Sequence, residues 1–131
     1  MVDRRFRELC GPTPGRVLEL GCGDGRVLEM LRDFDGHQVV GLDIDREALV
    51  QARRRAIQAT VHARAERLPF ASGSFDAVVA GFFGANLMDR EAMVGEAARI
   101  LRPGGVLAYT LLNPTTRLID VFQHDLRTLR R

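Results

Sequence analysis

Lysine is absent from this sequence, so all 19 basic residues are arginine. Genome composition and adaptation to heat would each explain that bias. Cysteine is scarce as well, with only Cys10 and Cys22, and there is neither a signal-like N-terminus nor a long apolar run. These scarcities predict a cytoplasmic protein with reduced thiols and no membrane partner.

Neither sign of charge dominates, since the formal net charge is only +2. The charge balance therefore gives no reason to expect a nucleic-acid partner. Three adjacent arginines at residues 53–55 cannot share one face of a helix, so we interpret them as a solvated surface. His37, His62 and His124 are isolated in the sequence and lack metal-ligand spacing, so no metal site is predicted.

A chain of 131 residues predicts a single domain over residues 1–131, because the length is enough to bury a core but not to build a second one. Residues 1–15 are a short N-terminal segment, and apolar residues at helical spacing predict a C-terminal helix over 115–131. Between them, the patterns predict strands at 17–20, 38–42, 60–63, 75–80 and 106–112, and helices at 25–32, 46–59 and 89–101. Near-continuous apolar strands are typical of a buried parallel sheet.

A glycine-rich turn lies between the first strand and the first helix. Gly21, Gly23 and Gly25 stand at alternate positions after the apolar run of 17–20. Glycine allows backbone conformations closed to other residues and lets a ligand approach the main chain closely. This turn is therefore the predicted ligand cradle.

The side chains around the cradle favour one class of ligand. A pyrophosphate would lie beside two carboxylates, Glu19 and Asp24, which disfavours a dinucleotide. The dinucleotide fingerprint would also place its third glycine where Arg26 stands. A nicotinamide oxidoreductase is thus disfavoured, and a ligand with an amino group or positive charge fits better.

Asp43 ends the second predicted strand, 20 or so positions after the glycines. One carboxylate there can accept both hydroxyls of a ribose. The alternative is that Asp43 caps the following helix, but Asp45 lies closer to the start of that helix. Asp43 is therefore the candidate ribose ligand.

Five segments in order carry a family resemblance: VLELGCGDG, VVGLDID, AERLPF, FDAVVAG and ILRPGGVLAY. From Arg16 to Leu112 the chain resembles the Rossmann-like (class I) S-adenosylmethionine-dependent methyltransferases. The resemblance implies an α/β, doubly wound, mostly parallel sheet of order 3-2-1-4-5, with S-adenosyl-L-methionine as cofactor. It implies methyl transfer to a small-molecule acceptor. The alternative is a catalytically reduced binding or scaffold protein that kept the fold and acts with a partner.

The resemblance also implies which residues hold the cofactor. Asp43 would bind the ribose, and Gly81 would lie at the edge that faces the methyl group. The adenine region would contact Ile44, Ala65 and Glu66. The methionine part would be held by Glu19, Gly21, Cys22, Gly23 and Gly25. Cys22 is interpreted as a small residue beside glycines rather than a nucleophile. Arg64 stands where the resembling family usually has an aspartate, so reading of the adenine amino group falls to Glu66 or to backbone near Ala65.

The loop at residues 81–87 should face the acceptor, because open α/β sheets bind ligands beyond the carboxyl ends of their strands. Phe82 and Phe83 there suggest an apolar or flat acceptor, although either ring fits a core position equally well. The loop offers no base, so no catalytic residue is predicted.

Resembling methyltransferases have two further strands after the fifth, and the sequence predicts that this chain lacks both. An uncovered edge strand is a pairing hazard that natural proteins cover or charge. We therefore expect a second copy or a protein partner to cover the fifth-strand edge or the C-terminal helix.

Overall fold

The computed structural model describes residues 7, 8, 10, 11, 13–81, 89–112 and 119–125, with 110–112 and 119–125 described by backbone alone. Strands and helices alternate along most of this range. The elements are β1 (Arg16–Leu20), α1 (Arg26–Asp35), β2 (Gln38–Asp43), α2 (Arg46–Arg54), β3 (Thr60–His62), β4 (Phe75–Ala80), α3 (Arg90–Ile100), β5 (Leu101–Leu112) and β6 (Ile119–Asp125).

The strands form one sheet of order β3-β2-β1-β4-β5-β6. The first five are parallel, which confirms the predicted order 3-2-1-4-5, and β3 lies at an edge as expected. Alternate residues of a strand face opposite sides of a sheet. On one side the sheet packs against α3, and on the other against α1 and α2, so helices cover both faces.

At the amino end of β4, Asp76 forms hydrogen bonds to both neighbouring strands. Its carboxylate accepts the Arg16 N–H of β1 at 2.7 Å and the Nε–H of Arg102 of β5. The Arg16 N–H and then the Arg102 guanidinium hold the pKa of Asp76 below its usual range. The carboxylate therefore stays charged and aligns β1, β4 and β5 at the end of the sheet that lies away from the glycine cradle.

The second helix is shorter than predicted, since α2 ends at Arg54 and not near residue 59. Ala56 takes a left-handed conformation (φ 61°), and the Ile57 N–H donates to the Ala52 carbonyl at 3.1 Å. This tight turn buries Ile57, which is 1% exposed. Burial of one large apolar side chain outweighs the helical spacing of the alanines.

The predicted C-terminal helix is wrong for residues 119–125, which form β6. β6 pairs antiparallel with β5, from Leu112 opposite Ile119 to Val106 opposite Asp125. An open edge of β5 offers unpaired backbone groups, and satisfying them outweighs the weak helical pattern. The edge that we expected a second copy or partner to cover is thus paired within the chain. The rest of 115–131 lies outside the described residues.

No helix in the described ranges is both long and apolar enough to cross a bilayer. The same ranges hold no cluster of three or more His, Cys, Asp or Glu side chains placed to bind a metal ion.

Candidate cofactor site

The glycine turn lies at the carboxyl ends of β1 and β2. Gly21, Gly23 and Gly25 all have positive φ values, 65°, 55° and 86°. A Cβ on Gly23 would meet no atom within 4 Å, so this residue faces open space. A Cβ on Gly25 would lie 3.1 Å from Ile57 Cγ1, so this residue packs against the start of the β3 connection. Gly23 thus leaves room for a ligand, whereas Gly25 lets α1 approach its neighbours.

Asp43 is fixed across the mouth of this turn. Its Oδ2 accepts the Gly23 N–H at 2.9 Å, and its Oδ1 accepts the Asp45 N–H at 2.9 Å. Asp45 in turn caps α2 by accepting the Glu47 N–H at 2.9 Å, as predicted. Each carboxylate oxygen can accept more than one hydrogen bond, so Asp43 retains capacity for hydroxyl donors.

Glu19 brings a buried carboxylate to the same place. It is 1% exposed and lines a cavity of about 400 Å³ together with residues of the turn. The other lining residues are Gly21, Cys22, Gly23, Asp24, Arg26 and Val27. Removing a carboxylate from water is costly, so such a group favours a positively charged or hydrogen-bonding neighbour. The cavity therefore suits a ligand with an amino group.

Asp24 lies close to two arginines. Arg26 Nε lies 3.3 Å and an Arg55 Nη 3.6 Å from its carboxylate. The predicted repulsion of a phosphate by Asp24 is correspondingly reduced. The electrostatic case against a dinucleotide depends on Glu19.

The Cys22 side chain packs into the core beside the cavity. A Cβ placed on Gly41 would lie 2.8 Å from Cys22 Sγ, and Cys22 packs with Leu28 and Leu49. Burial, followed by the nearby carboxylates of Glu19 and Asp43, raises the pKa of the Cys22 thiol to about 12. The thiol is therefore neutral at ordinary pH, which supports its interpretation as a packing residue beside the glycines.

The residues expected around adenine lie beside Asp43. Ile44 follows it and is 66% exposed, and the Ala63 N–H donates to the Asp43 carbonyl at 3.2 Å. Ala65 is buried in the core, and Glu66 forms an ion pair with Arg64 at 3.0 Å. Arg64 thus pairs with Glu66, the side chain that we expected to recognise the adenine amino group.

Gly81 is buried and directly follows β4 at the same end of the sheet. The structure therefore brings it to the edge that holds the other candidate residues. The expected acceptor loop, with Phe82 and Phe83, lies outside the described residues.

Two functional candidates on α3 were missed from sequence, Glu96 and Arg99. Glu96 accepts the Leu68 N–H at 2.8 Å, and Arg99 donates to the carbonyls of Leu68 and Phe70 at 2.9 and 2.8 Å. In sequence they are only an oppositely charged pair at i, i+3, which ordinarily indicates a solvent-exposed helix face. No local signal links them to a loop some 30 residues away.

Comparisons with known proteins identify related sequences and structures. A family model described as a methyltransferase domain matches residues 18–109. Malonyl-(acyl-carrier protein) O-methyltransferase of Enterobacter lignolyticus is 41% identical over 125 residues, covering 88% of this chain and 49% of that enzyme. Demethylmenaquinone methyltransferase of Thermus thermophilus is 40% identical over 101 residues, covering 72% and 46%. The chain thus spans about half the length of these relatives.

Among solved structures, geranyl diphosphate C-methyltransferase of Streptomyces coelicolor, crystallised with S-adenosyl-L-homocysteine, superposes with a TM-score of 0.78. The match covers 84% of this chain and 43% of that one at 18% identity, and it shows a shared fold. The chain belongs to the methyltransferase domain family, with the Rossmann-like fold of the class I S-adenosylmethionine-dependent enzymes.

Proposed function

We propose that this chain binds S-adenosyl-L-methionine and transfers its methyl group to a small-molecule acceptor. The observation that carries the proposal is Asp43, whose carboxylate is fixed between the Gly23 and Asp45 N–H groups beside the cavity that Glu19 lines. The Asp43 carboxylate can accept hydrogen bonds from ribose hydroxyls, and the buried Glu19 carboxylate beside it can bind an amino group. One relative is named for malonyl-(acyl-carrier protein) and another for demethylmenaquinone, and the second name supports a small-molecule acceptor.

Each part of the cofactor has candidate residues in this chain. The Glu19 carboxylate and the backbone of Gly21, Gly23, Gly25 and Cys22 would hold the methionine part. Asp43 would accept from the ribose hydroxyls, and the exposed Ile44 side chain would cover one face of adenine. Ala65 and Glu66 would border the adenine edge, and Gly81 would lie nearest the methyl group.

When bound, the cofactor supplies an electrophilic methyl group on a sulfonium. The chain's own contribution is to orient that group and to position the acceptor for in-line attack. The buried Glu19 would balance the positive charge of the methionine amino group. No general base is assigned, because residues 81–87, the loop expected to face the acceptor, hold no side chain suited to that role.

A binding or scaffold protein is the second candidate function. The Arg64–Glu66 ion pair favours it, because the pair engages the side chain that would read the adenine amino group. A scaffold of this kind would keep the fold and act together with a partner. It would show no methyl transfer in an acceptor screen, even with cofactor bound.

Calorimetric titration with S-adenosylhomocysteine and S-adenosylmethionine, and with NAD as negative control, tests the proposal. Asp43→Ala should weaken binding of both nucleosides by at least about tenfold, since it removes two hydrogen bonds to a charged group. Asp45→Ala is the matched control. It removes the α2 cap, which costs about 1 kcal/mol of folding stability, and should leave binding near that of the unaltered protein. Equal affinities for Asp43→Ala and Asp45→Ala would contradict the ribose assignment.

A further inference from the structure

The loop between β3 and β4 is bonded to α3 through its backbone. Both polar groups of Leu68 are engaged, since its N–H donates to Glu96 Oε1 at 2.8 Å and its carbonyl accepts from Arg99 Nη2 at 2.9 Å. The Phe70 carbonyl accepts from Arg99 Nη1 at 2.8 Å. Two side chains of one helix therefore fix three backbone groups of the loop, the Leu68 N–H, the Leu68 carbonyl and the Phe70 carbonyl.

Glu96 and Arg99 also hold each other. Arg99 Nε donates to Glu96 Oε2 at 2.8 Å, and the Arg99 Nη2 lies 3.3 Å from Glu96 Oε1. An ion pair that only faces solvent contributes little to stability. Here the planar guanidinium spans two carbonyls and a carboxylate at once, which a lysine ammonium on one flexible stem does not reproduce.

The candidate adenine residues lie just before this anchor. The loop begins where Ala63 N–H donates to the Asp43 carbonyl at 3.2 Å, and it is next fixed at Leu68. Ala65, 4% exposed, packs in the same core cluster as Leu68. The short stretch with Ala65 and Glu66 is thus held at one end by β2 and at the other by α3.

We propose that Glu96 and Arg99 are positioning residues for adenine recognition, an inference that rests on the proposed function. Hydrogen bonds weaken steeply when donor and acceptor move by a few tenths of an ångström or tilt. Reading the exocyclic amino group therefore needs a loop backbone in one fixed place. Glu96 and Arg99 supply that fixation without touching the nucleoside themselves.

The test compares two ligands that differ at the adenine edge, S-adenosylhomocysteine and S-inosylhomocysteine, in which an oxygen replaces the amino group. We expect the unaltered protein to prefer the adenine form by about tenfold or more, since a site that bonds a polar group rejects an analogue without it. Arg99→Lys should lower this preference by about fivefold, because one ammonium cannot hold both carbonyls. Arg90→Lys, at an exposed position on the same helix, is the matched control and should keep the preference.

Glu96→Gln is a milder second variant. It keeps an oxygen for the Leu68 N–H but loses the charged link to Arg99, so its preference for adenine should fall to a value between those of Arg99→Lys and the unaltered protein. Calorimetry gives the affinities, and thermal unfolding gives the stability of each variant.

The outcomes separate this inference from the proposed function. An unchanged adenine preference in both Arg99→Lys and Glu96→Gln overturns the inference alone. So does an equal loss of affinity for both ligands together with a lower Tm, since that shows a purely structural role. If the unaltered protein binds S-adenosylhomocysteine no better than NAD, the proposed function fails and this inference fails with it.

Discussion

The glycine turn after β1 and the loop after β3 are held in different ways. In the turn, the Cys22 N–H donates to the Leu42 carbonyl and the Gly25 N–H to the Cys22 carbonyl, both at 3.0 Å. The loop is held at Leu68 and Phe70 by side chains 28 to 31 positions along the chain. One side of the site is thus shaped mainly by backbone within and next to the turn, and the other depends on a helix already in place.

The largest loss of unfolding free energy should come from substitutions in the glycine turn. Gly25→Ala combines a left-handed backbone with contacts near 3.1 Å to Ile57 and 3.2 Å to Ala52, so we expect a loss of about 2–4 kcal/mol in unfolding free energy. Gly23→Ala meets open space, so only the backbone strain remains, about 1–2 kcal/mol. Urea unfolding measures both. If the two variants lose the same stability, the packing role of Gly25 is wrong.

A smaller effect should come from the packing beneath the turn. A Cβ on Gly41 would lie 2.8 Å from Cys22 Sγ and 2.9 Å from Leu28 Cδ1. Gly41→Ala should therefore cost about 1–3 kcal/mol through overpacking. Adding Cys22→Ala removes the sulfur and should recover part of this loss, leaving the contact with Leu28. A double-mutant cycle on unfolding free energies measures the recovery, and simple additivity of the two changes would contradict the contact.

The smallest loss of unfolding free energy should come from changing Glu96 on α3, and this loss should depend on pH. The Arg99 guanidinium, followed by the Leu68 N–H, lowers the pKa of Glu96. A carboxyl whose pKa is lower in the folded state stabilises the fold above its unfolded pKa, about 4.3 for glutamate, and loses that contribution as pH falls further. Glu96→Gln should thus cost less than about 1 kcal/mol at pH 7, because the pair is partly exposed.

This cost should shrink as the pH falls below about 4, where Glu96 itself becomes protonated. Glu91→Gln, in the exposed first turn of the same helix, controls for removal of a charge. Denaturant unfolding from pH 7 to acid gives the difference at each pH. A difference between Glu96→Gln and the unaltered protein that stays constant over this range would contradict the assignment.

Features governed by neighbouring residues could be predicted from the sequence. The β4 bounds, Phe75–Ala80, are as predicted, because an apolar run ends at a turn on each side. Asp45 and Asp89 cap their helices as expected, since capping needs only a side-chain oxygen two or three positions before an N–H. The glycine turn belongs to the same class, whereas the bond from the Gly23 N–H to Asp43 joins residues 20 positions apart. The strand order follows from the family resemblance.

Features decided by tertiary contacts could not be predicted. The end of α2 depends on where Ile57 finds a buried position, and β6 depends on an open edge of β5 beside it. Arg64 was recognised as a departure, but its ion pair with Glu66 requires the folded loop. The hydrogen bonds from Glu96 and Arg99 to the loop after β3 join residues far apart in sequence, so no local pattern predicts them.

The position of Asp76 has a consequence for how the chain folds. Its bond to Arg16 joins residues 60 positions apart, whereas the Gly15 N–H bond to His37 beside β2 joins residues 22 apart. Closing the longer loop costs about 0.9 kcal/mol more in chain entropy. The pairing of β1 with β4 therefore costs more chain entropy than the junction at β2, and it is where the order of strand addition reverses in the sheet. A nucleoside that contacts Gly21 on one side and Gly81 on the other would bridge that junction, so we expect ligand binding to slow its opening.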